Sequence, residues 1–357
     1  MSQRQRILDA MSGQDASPRG ALTRAALSVF TPAYRAGNAL RSAGFTLGAK
    51  RSYPLGRPTV SVGNLTTGGT GKTPMVQHLT RQLAEAGHRP CILLRGYKGG
   101  DEAEEHRRAM GDLAHIEPDP DRVAAAARVL SDRPETTCFV LDDGFQHRRA
   151  QRDLDLVLID ATNPWGYGRL LPRGLMREPK SALRRADAVI VTRTDQTDDA
   201  ARTALDREIA HLTGKPPIAH TEHGWAGYRI GKPHQPGDAA PLDQLAGENV
   251  MGVVGIGNPA AFAKTLAKHT AAVVHCEQLP DHHRYTTSQL NNLIELAKTA
   301  GATALVTTEK DWVKWSLLLE DDPPAFPIYR AALELRFRDG EVALHRLIAE
   351  RIPSPPQ

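Results

Sequence analysis

Short β-branched or largely apolar runs punctuate the first two hundred residues at Thr59–Val62, Pro90–Leu94, Thr137–Leu141, Leu154–Ala161 and Ala186–Thr192. Runs of this length without alternation suit strands covered on both faces, as in a parallel sheet. Helical periodicity fills the gaps. Met75, Val76, Leu79 and Leu83 share one face of a helix that ends near Gly87, and the next strand completes a β-α-β unit with its crossover. Gly100-Asp101-Glu102 opens a charged helix, and Asp121-Arg122-Val123 opens an alanine-rich one. Pro217–His220 reads as a further strand. The composition then turns to Gly, Pro, Lys and Asp over Gly227–Leu245, a boundary. Beyond it the pattern restarts, with strands at Val250–Gly255, Ala271–Val274 and Ala304–Thr307 and helices from Ala260 and over Ser288–Ala300. Tyr329–Phe337 and Glu341–His345 alternate apolar and polar residues across Asp339-Gly340, which predicts a hairpin.

The amino-terminal region differs. Residues 1–18 are polar and predict a disordered tail. Ala21–Ala49 predicts two short helices split at Thr31-Pro32, an N-cap followed by a first-turn proline. Ala33, Ala36, Leu40, Ala43 and Leu47 share one face of the second. Arg24, Arg35, Arg41, Lys50 and Arg51 make the region basic. Such a helix either docks on its own domain or lies on an anionic membrane surface.

Length and charge narrow the partners. A chain of 357 residues suggests two domains. Its net charge of +4 suits an anionic partner without choosing one. No interleaving of arginine and aromatic residues points to nucleic acid. The three cysteines are far apart and form no Cys-x-x-Cys, so neither a zinc site nor a disulfide framework is expected. The first twenty residues lack the apolar centre of a signal peptide, and no apolar run is long enough to span a bilayer.

Candidate chemistry starts at the end of the first strand. Asn64-Leu65-Thr66-Thr67-Gly68-Gly69-Thr70-Gly71-Lys72-Thr73 joins that strand to a helix, the context of a phosphate-binding loop. Thr66 stands where the general pattern has its first glycine. Backbone amides of residues 66–73 would converge on an anion at the helix N-terminus. Lys72 would neutralise the β- and γ-phosphates of ATP, and the Thr73 hydroxyl would ligate Mg²⁺. The strand Thr137–Leu141 ends in Asp142-Asp143, where one carboxylate could hold Mg²⁺ opposite the loop. Asp-Asp-Gly is also a common turn. A Gly/Pro/Arg-rich loop, Gly166–Pro179, carries Arg177-Glu178, either an anchor for an acceptor's phosphate or a structural ion pair.

These residues resemble one family. Val62-Gly63-Asn64-Leu65-Thr66 through Pro74, Arg95-Gly96-Tyr97, Asp142-Asp143-Gly144-Phe145-Gln146-His147, Leu171-Pro172 and Arg177-Glu178-Pro179 are similar to motifs of the tetraacyldisaccharide 4'-kinases. So are Gly255-Ile256-Gly257-Asn258-Pro259, Pro280-Asp281-His282 and Thr307-Thr308-Glu309-Lys310-Asp311, in the same order. Thr66 belongs to that family's own version of the loop. The resemblance implies an α/β fold with a P-loop kinase-like lobe at 20–226, a linker at 227–248 and a smaller α/β lobe at 249–322. A returning β strand at 323–357 would complete a two-stranded linker. It also implies ATP, Mg²⁺ and transfer of the γ-phosphate to the 4'-hydroxyl of the lipid A disaccharide 1-phosphate. The enzyme would lie peripherally on the cytoplasmic face of the inner membrane, with no obligate protein partner. The catalytic Asp maps to Asp101, with Asp112 as the alternative, and its paired His maps to His282. Glu102 joins Thr73, Asp142 and Asp143 as a metal-ligand candidate. Asn64, Tyr97, Arg122, Gln146, His147, Arg177 and Glu178 are the implied acceptor contacts. Two other readings remain: a P-loop NTPase switch, and a kinase for another small acceptor.

Overall fold

The structure, a computed structural model, describes residues 3–96, 101–231, 240–256, 259–280, 283–319 and 324–355; of residues 3–5, 101 and 223 it describes the backbone alone. The expected sites Tyr97 and His282, and the Asp101 side chain, therefore lie outside the described residues.

In chain order the elements are helices α1 (Gln3–Ser12) and α2 (Pro18–Thr46), strand β1 (Thr59–Asn64), α3 (Lys72–Glu85), β2 (Pro90–Leu94), α4 (Asp101–Met110), β3 (His115–Pro118), α5 (Arg122–Asp132), β4 (Cys138–Asp142), β5 (Leu154–Asp160), β6 (Ala188–Thr192), α6 (Asp199–Thr213) and β7 (Ala219–Ile230). There follow β8 (Asn249–Val254), α7 (Pro259–Leu266), β9 (Ala272–Gln278), α8 (Thr287–Thr299), β10 (Ala304–Thr308), α9 (Glu309–Leu318), β11 (Ile328–Asp339) and α10 (Glu341–Arg351).

Contacts divide the chain into two compact units, one of Met1–Arg95, Asp112–His223 and Leu335–Gln357, the other of Gly96–Gly111 and Gly224–Glu334. The chain passes from one to the other on either side of Gly96–Gly111, within β7 and again within β11. In the first unit the strand order is β3-β2-β4-β1-β5-β6-β7, and the paired neighbours run parallel. The strands β1, β2, β4 and β5 are buried along their whole length, the reason they are largely apolar. Because β4 lies directly beside β1, with Val62 level with Asp142, the phosphate loop and the acid pair leave adjacent carboxyl ends. That is the edge where open α/β sheets bind ligands. The second unit has the parallel order β11-β10-β8-β9, with Trp312, Trp315, Leu290 and Leu305 among its buried core.

Four expectations are corrected. Residues 3–12 of the expected disordered tail are helical: Ala10 and Met11 are buried. Arg24 donates to the carbonyls of Ala10 and Asp15, and Arg173 to that of Met11, so cations satisfy the helix's carboxyl end. The helix α2 runs straight through Pro32 instead of splitting there. Its neighbours Ser28, Val29 and Phe30 are exposed, so the carbonyl that proline leaves unpaired can face water. Its half-buried seam is Leu27, Thr31, Tyr34, Asn38, Ser42 and Phe45, while the expected face of Ala33, Ala36, Leu40, Ala43 and Leu47 points outward. No hairpin forms at Asp339-Gly340: Gly340, at φ 80°, caps α10. Leu344, Ile348 and Ile352 are buried at helical spacing, and β11 pairs parallel with β10. Lastly, Gly96–Gly111 groups with the second unit, although its place in the sequence puts it in the larger lobe. Ala103, His106 and Met110 form the buried stripe of α4, which packs on α9.

Candidate active site

The loop between β1 and α3 is organised by one buried amide. Asn64 Nδ2 donates to the Thr66 carbonyl at 2.7 Å and to the Thr70 hydroxyl at 2.9 Å, and its Oδ1 accepts from Lys72 Nζ at 3.3 Å. Gly68 and Gly71 adopt positive φ, 115° and 85°, conformations that side chains resist. Gly71 is the N-cap of α3 and offers no side-chain cap; no acid stands in the first turn. The first-turn amides and the helix dipole are thus directed at whatever anion the loop receives.

Opposite the loop, the acid pair is built by close backbone approach. A Cβ on Gly144 would meet Leu141 Cβ at 2.8 Å, and one on Gly63 would meet the Phe145 nitrogen at 2.7 Å. Asp142 ends β4 and is buried. Asp143 takes a positive φ of 55° and turns into a cluster of charges, its Oδ2 accepting from Arg177 Nη1 at 2.6 Å and its Oδ1 lying 3.6 Å from Lys72 Nζ. Burial alone would raise the Asp143 carboxyl; Lys72, Arg177 and Arg122 outweigh it and hold the group below its ordinary value. Gln146 joins the cluster, accepting from Arg177 at 3.4 Å and donating to the Asn64 carbonyl at 2.7 Å. Lys72, Asn64, Asp143, Gln146 and Arg177, each expected from sequence, therefore meet in one network.

The remaining expected residues take other places. Arg122, buried at the start of α5, points to the carbonyls of Pro120 and Asp142 at 3.3 and 3.5 Å. Burial, with Arg122 nearby, pushes the His147 imidazole down to about 4, so it is neutral at pH 7. Glu178 pairs with Arg185 at 2.6 Å. Thr73 is half-buried in the first turn of α3, and Asp112 sits in a short 3₁₀ turn after α4. Glu102 is half-buried on α4 of the second unit. Thr73, Asp142 and Asp143 present hard oxygen donors, the set Mg²⁺ prefers.

Several site residues carried no sequence signal. Arg193, at φ 57°, donates to the carbonyl of Gly69 and pairs with Asp160. The Thr192 hydroxyl donates to the Thr70 carbonyl at 3.0 Å. The Arg-rich loop is laced to the phosphate loop by Thr67 N–H to Leu175 carbonyl and Arg177 N–H to Leu65 carbonyl, both 2.7 Å. From α2, Tyr34 and Asn38 donate to the Arg177 carbonyl at 3.1 and 2.6 Å, and Arg41 to that of Gln146 at 2.8 Å.

A parallel sheet with a phosphate loop on one strand, an acid pair on its neighbour and a lysine between them defines a P-loop nucleotide-binding protein, the class that holds kinases and NTPases. Residues 23–352 match the family described as tetraacyldisaccharide-1-P 4'-kinase, LpxK. Tetraacyldisaccharide 4'-kinase of Anaeromyxobacter sp. (strain Fw109-5) is 36% identical over 342 residues, covering 87% of this chain and 88% of that one. The enzyme of Syntrophus aciditrophicus (strain SB) is 38% identical over 358 residues, covering 90% and 91%. A crystal structure of LpxK from Aquifex aeolicus in complex with ATP superposes with a TM-score of 0.71 at 25% identity, over 92% of this chain and 99% of that one. The chain belongs to the tetraacyldisaccharide-1-P 4'-kinase family, ATP-dependent kinases of a lipid A precursor.

Proposed function

We propose that the first unit holds ATP with Mg²⁺ and passes its γ-phosphoryl group to the 4'-hydroxyl of the tetraacyldisaccharide 1-phosphate. The observation that carries this reading is the Lys72–Asp143–Arg177 cluster beside an uncapped helix start. Lys72 rests between Asn64 and Asp143; an incoming phosphate would take over from Asp143 as its counter-ion. Lys72 and the loop amides then stabilise charge spread over the transferring group. Thr73 and Asp142 or Asp143 would hold Mg²⁺, which neutralises phosphate charge when bound. Asp101 is the proposed base for the hydroxyl proton, with His282 orienting it, since a sugar hydroxyl is a poor nucleophile until its proton leaves. Arg177 and the buried Arg122 are proposed to place the anionic acceptor.

Incubating the protein with ATP, Mg²⁺ and the disaccharide 1-phosphate should add the mass of one phosphate to the lipid. ATP turnover that ignores the acceptor would instead mark an NTPase switch.

Among the described residues no helix is long and apolar enough to cross a membrane. The outward side of α2 exposes Leu22, Val29, Phe30, Leu40 and Leu47 among arginines, which supports peripheral attachment to the anionic cytoplasmic leaflet of the inner membrane. High salt and Phe30→Asp with Leu40→Asp should each release the protein from anionic vesicles. Equal binding by wild type and variant would refute this attachment.

A further inference from the structure

The helix that opens with Lys72 and Thr73 carries a second polar feature about two turns later, away from the loop. There His78 meets Glu341 and His345, which α10 presents four residues apart and so on one face. His78 Nε2 and His345 Nε2 stand 3.2 Å apart. Glu341 Oε1 is 4.0 Å from His345 Nε2, and one ligand atom from each of the three lies within 4.8 Å of the others. All three residues belong to the first unit. The two imidazoles are stacked at a centroid separation of 5.4 Å, and Phe337 packs on the His78 ring at 5.0 Å. Packing therefore fixes where the nitrogens point.

We infer that His78, His345 and Glu341 form a binding site for one divalent transition-metal ion of the Zn²⁺ class, fastening α10 to the helix that bears Lys72. Two imidazole nitrogens ~2.0–2.1 Å from a tetrahedral ion lie about 3.3 Å apart, close to the observed 3.2 Å. The carboxylate oxygen, 4.0 Å from His345 Nε2 and within 4.8 Å of both ligand nitrogens, must swing inward to the ~3.3 Å ligand spacing of a tetrahedral shell, a movement open to a side chain 48% exposed. Solvent access at Glu341 and His345 leaves room for water as the fourth ligand. Two imidazoles and one carboxylate select Zn²⁺, Co²⁺ or Ni²⁺ over Mg²⁺, which demands oxygen ligands. The nucleotide's ion and this ion therefore would not compete. The rival account is a plain hydrogen bond between two neutral rings, one donating from Nε2 and the other accepting. A metal needs both Nε2 lone pairs, with each ring protonated at Nδ1.

The test uses the full chain, stripped with chelator and kept in excess Mg²⁺ without nucleotide. Titration with Co²⁺ should give one saturable site per chain with the visible absorption of a four-coordinate ion, and Zn²⁺ should displace it. His78→Gln and His345→Gln, checked for fold by circular dichroism, should each weaken binding more than ~100-fold, since even loss of an outer partner costs ~10–100-fold. Zn²⁺ should raise the melting temperature of the wild type and leave that of His345→Gln unchanged. Should a variant fail to fold, zinc X-ray absorption on the wild type counts its imidazole ligands, and two are expected. Absence of saturable Co²⁺ binding, retention of binding in the variants, or a zinc shell without imidazole would each overturn the site.

Discussion

Replacing Asn64 by alanine separates two roles that one residue could have, shaping the phosphate loop or touching the acceptor. The structure assigns the side chain three partners: the Thr66 carbonyl, the Thr70 hydroxyl and Lys72 Nζ. Asn64 is fully buried, so water does not replace what alanine removes. At about 1 kcal/mol for each neutral bond, plus the cost of stranding a buried carbonyl, the loss comes to roughly 2–4 kcal/mol. Part of it falls on the loop conformation that receives ATP, so ATP affinity should drop together with stability. Urea unfolding measures the first quantity and isothermal titration with a non-hydrolysable ATP analogue the second. Asn64→Asp is the informative companion: it keeps an acceptor for Lys72 but turns an oxygen toward the Thr66 carbonyl, so it too should weaken ATP binding. If Asn64→Ala leaves stability within ~0.5 kcal/mol, the range of an ordinary surface change, and raises only the KM for the disaccharide, the loop-organising role is wrong. Asn64 would then be the acceptor contact that the family resemblance implies.

Lys72→Ala should lower kcat by ~100-fold or more, beyond whatever stability is lost with its contacts to Asn64 and Asp143; near-normal turnover by the folded variant would refute this. Burial, helped by Glu309 and Glu102, pushes the Glu105 carboxyl up to about 7 against the opposing pull of His106 and Lys310. Its contribution to stability is therefore present at low pH and lost as pH rises from its unfolded value through 7. Glu105→Gln should flatten that decline, so it should be the more stable protein at pH 8, as read from melting temperature against pH. His147 runs the other way: with its imidazole held at about 4, the stability it confers is complete above its unfolded value and lost as pH falls toward 4. His147→Gln should remove that part of the acid sensitivity in the same assay.

What could be read from the chain follows from what is local. The phosphate loop and the acid pair are contiguous stretches at strand ends, so residue order alone exposes them. Arg193 holds the Gly69 carbonyl from 124 residues away, and Asn38 reaches the Arg177 carbonyl across 139; such contacts leave no local trace. The hairpin expected at Asp339-Gly340 failed because five residues, Glu341–His345, are too few to set a period, and Val342, Ala343 and Leu344 are three apolar residues in a row that do not alternate. Only the longer series Leu344, Ile348, Ile352 decides for helix. On α2 the apolar pattern did not mark the face that docks, the first of its two expected uses. Docking runs through Tyr34, Asn38 and Ser42, whose polar atoms find partners, and the alanine face is left outside.

That inverted helix bears on how a lipid-borne substrate and a nucleotide site can be handled in one unit. Arg177 stands at the junction. Its guanidinium holds Asp143 of the acid pair, its N–H is bonded to Leu65 of the phosphate loop, and its carbonyl is gripped by Tyr34 and Asn38 of α2. A carbonyl taking two donors at 2.6 and 3.1 Å fixes the backbone there more firmly than one bond would. Arg41, one turn further along α2, ties the Gln146 carbonyl in the same way. The helix is thus joined to the site largely by polar contacts, with Leu27 and Phe45 half-buried in the same seam, while Leu22, Val29, Leu40 and Leu47 face away. An outward apolar face fits the peripheral attachment proposed above, with fatty acyl chains as the surface it would meet. Under that proposal the same seam would hold the acid pair at a set height relative to the membrane, where the 4'-hydroxyl of an anchored disaccharide would arrive.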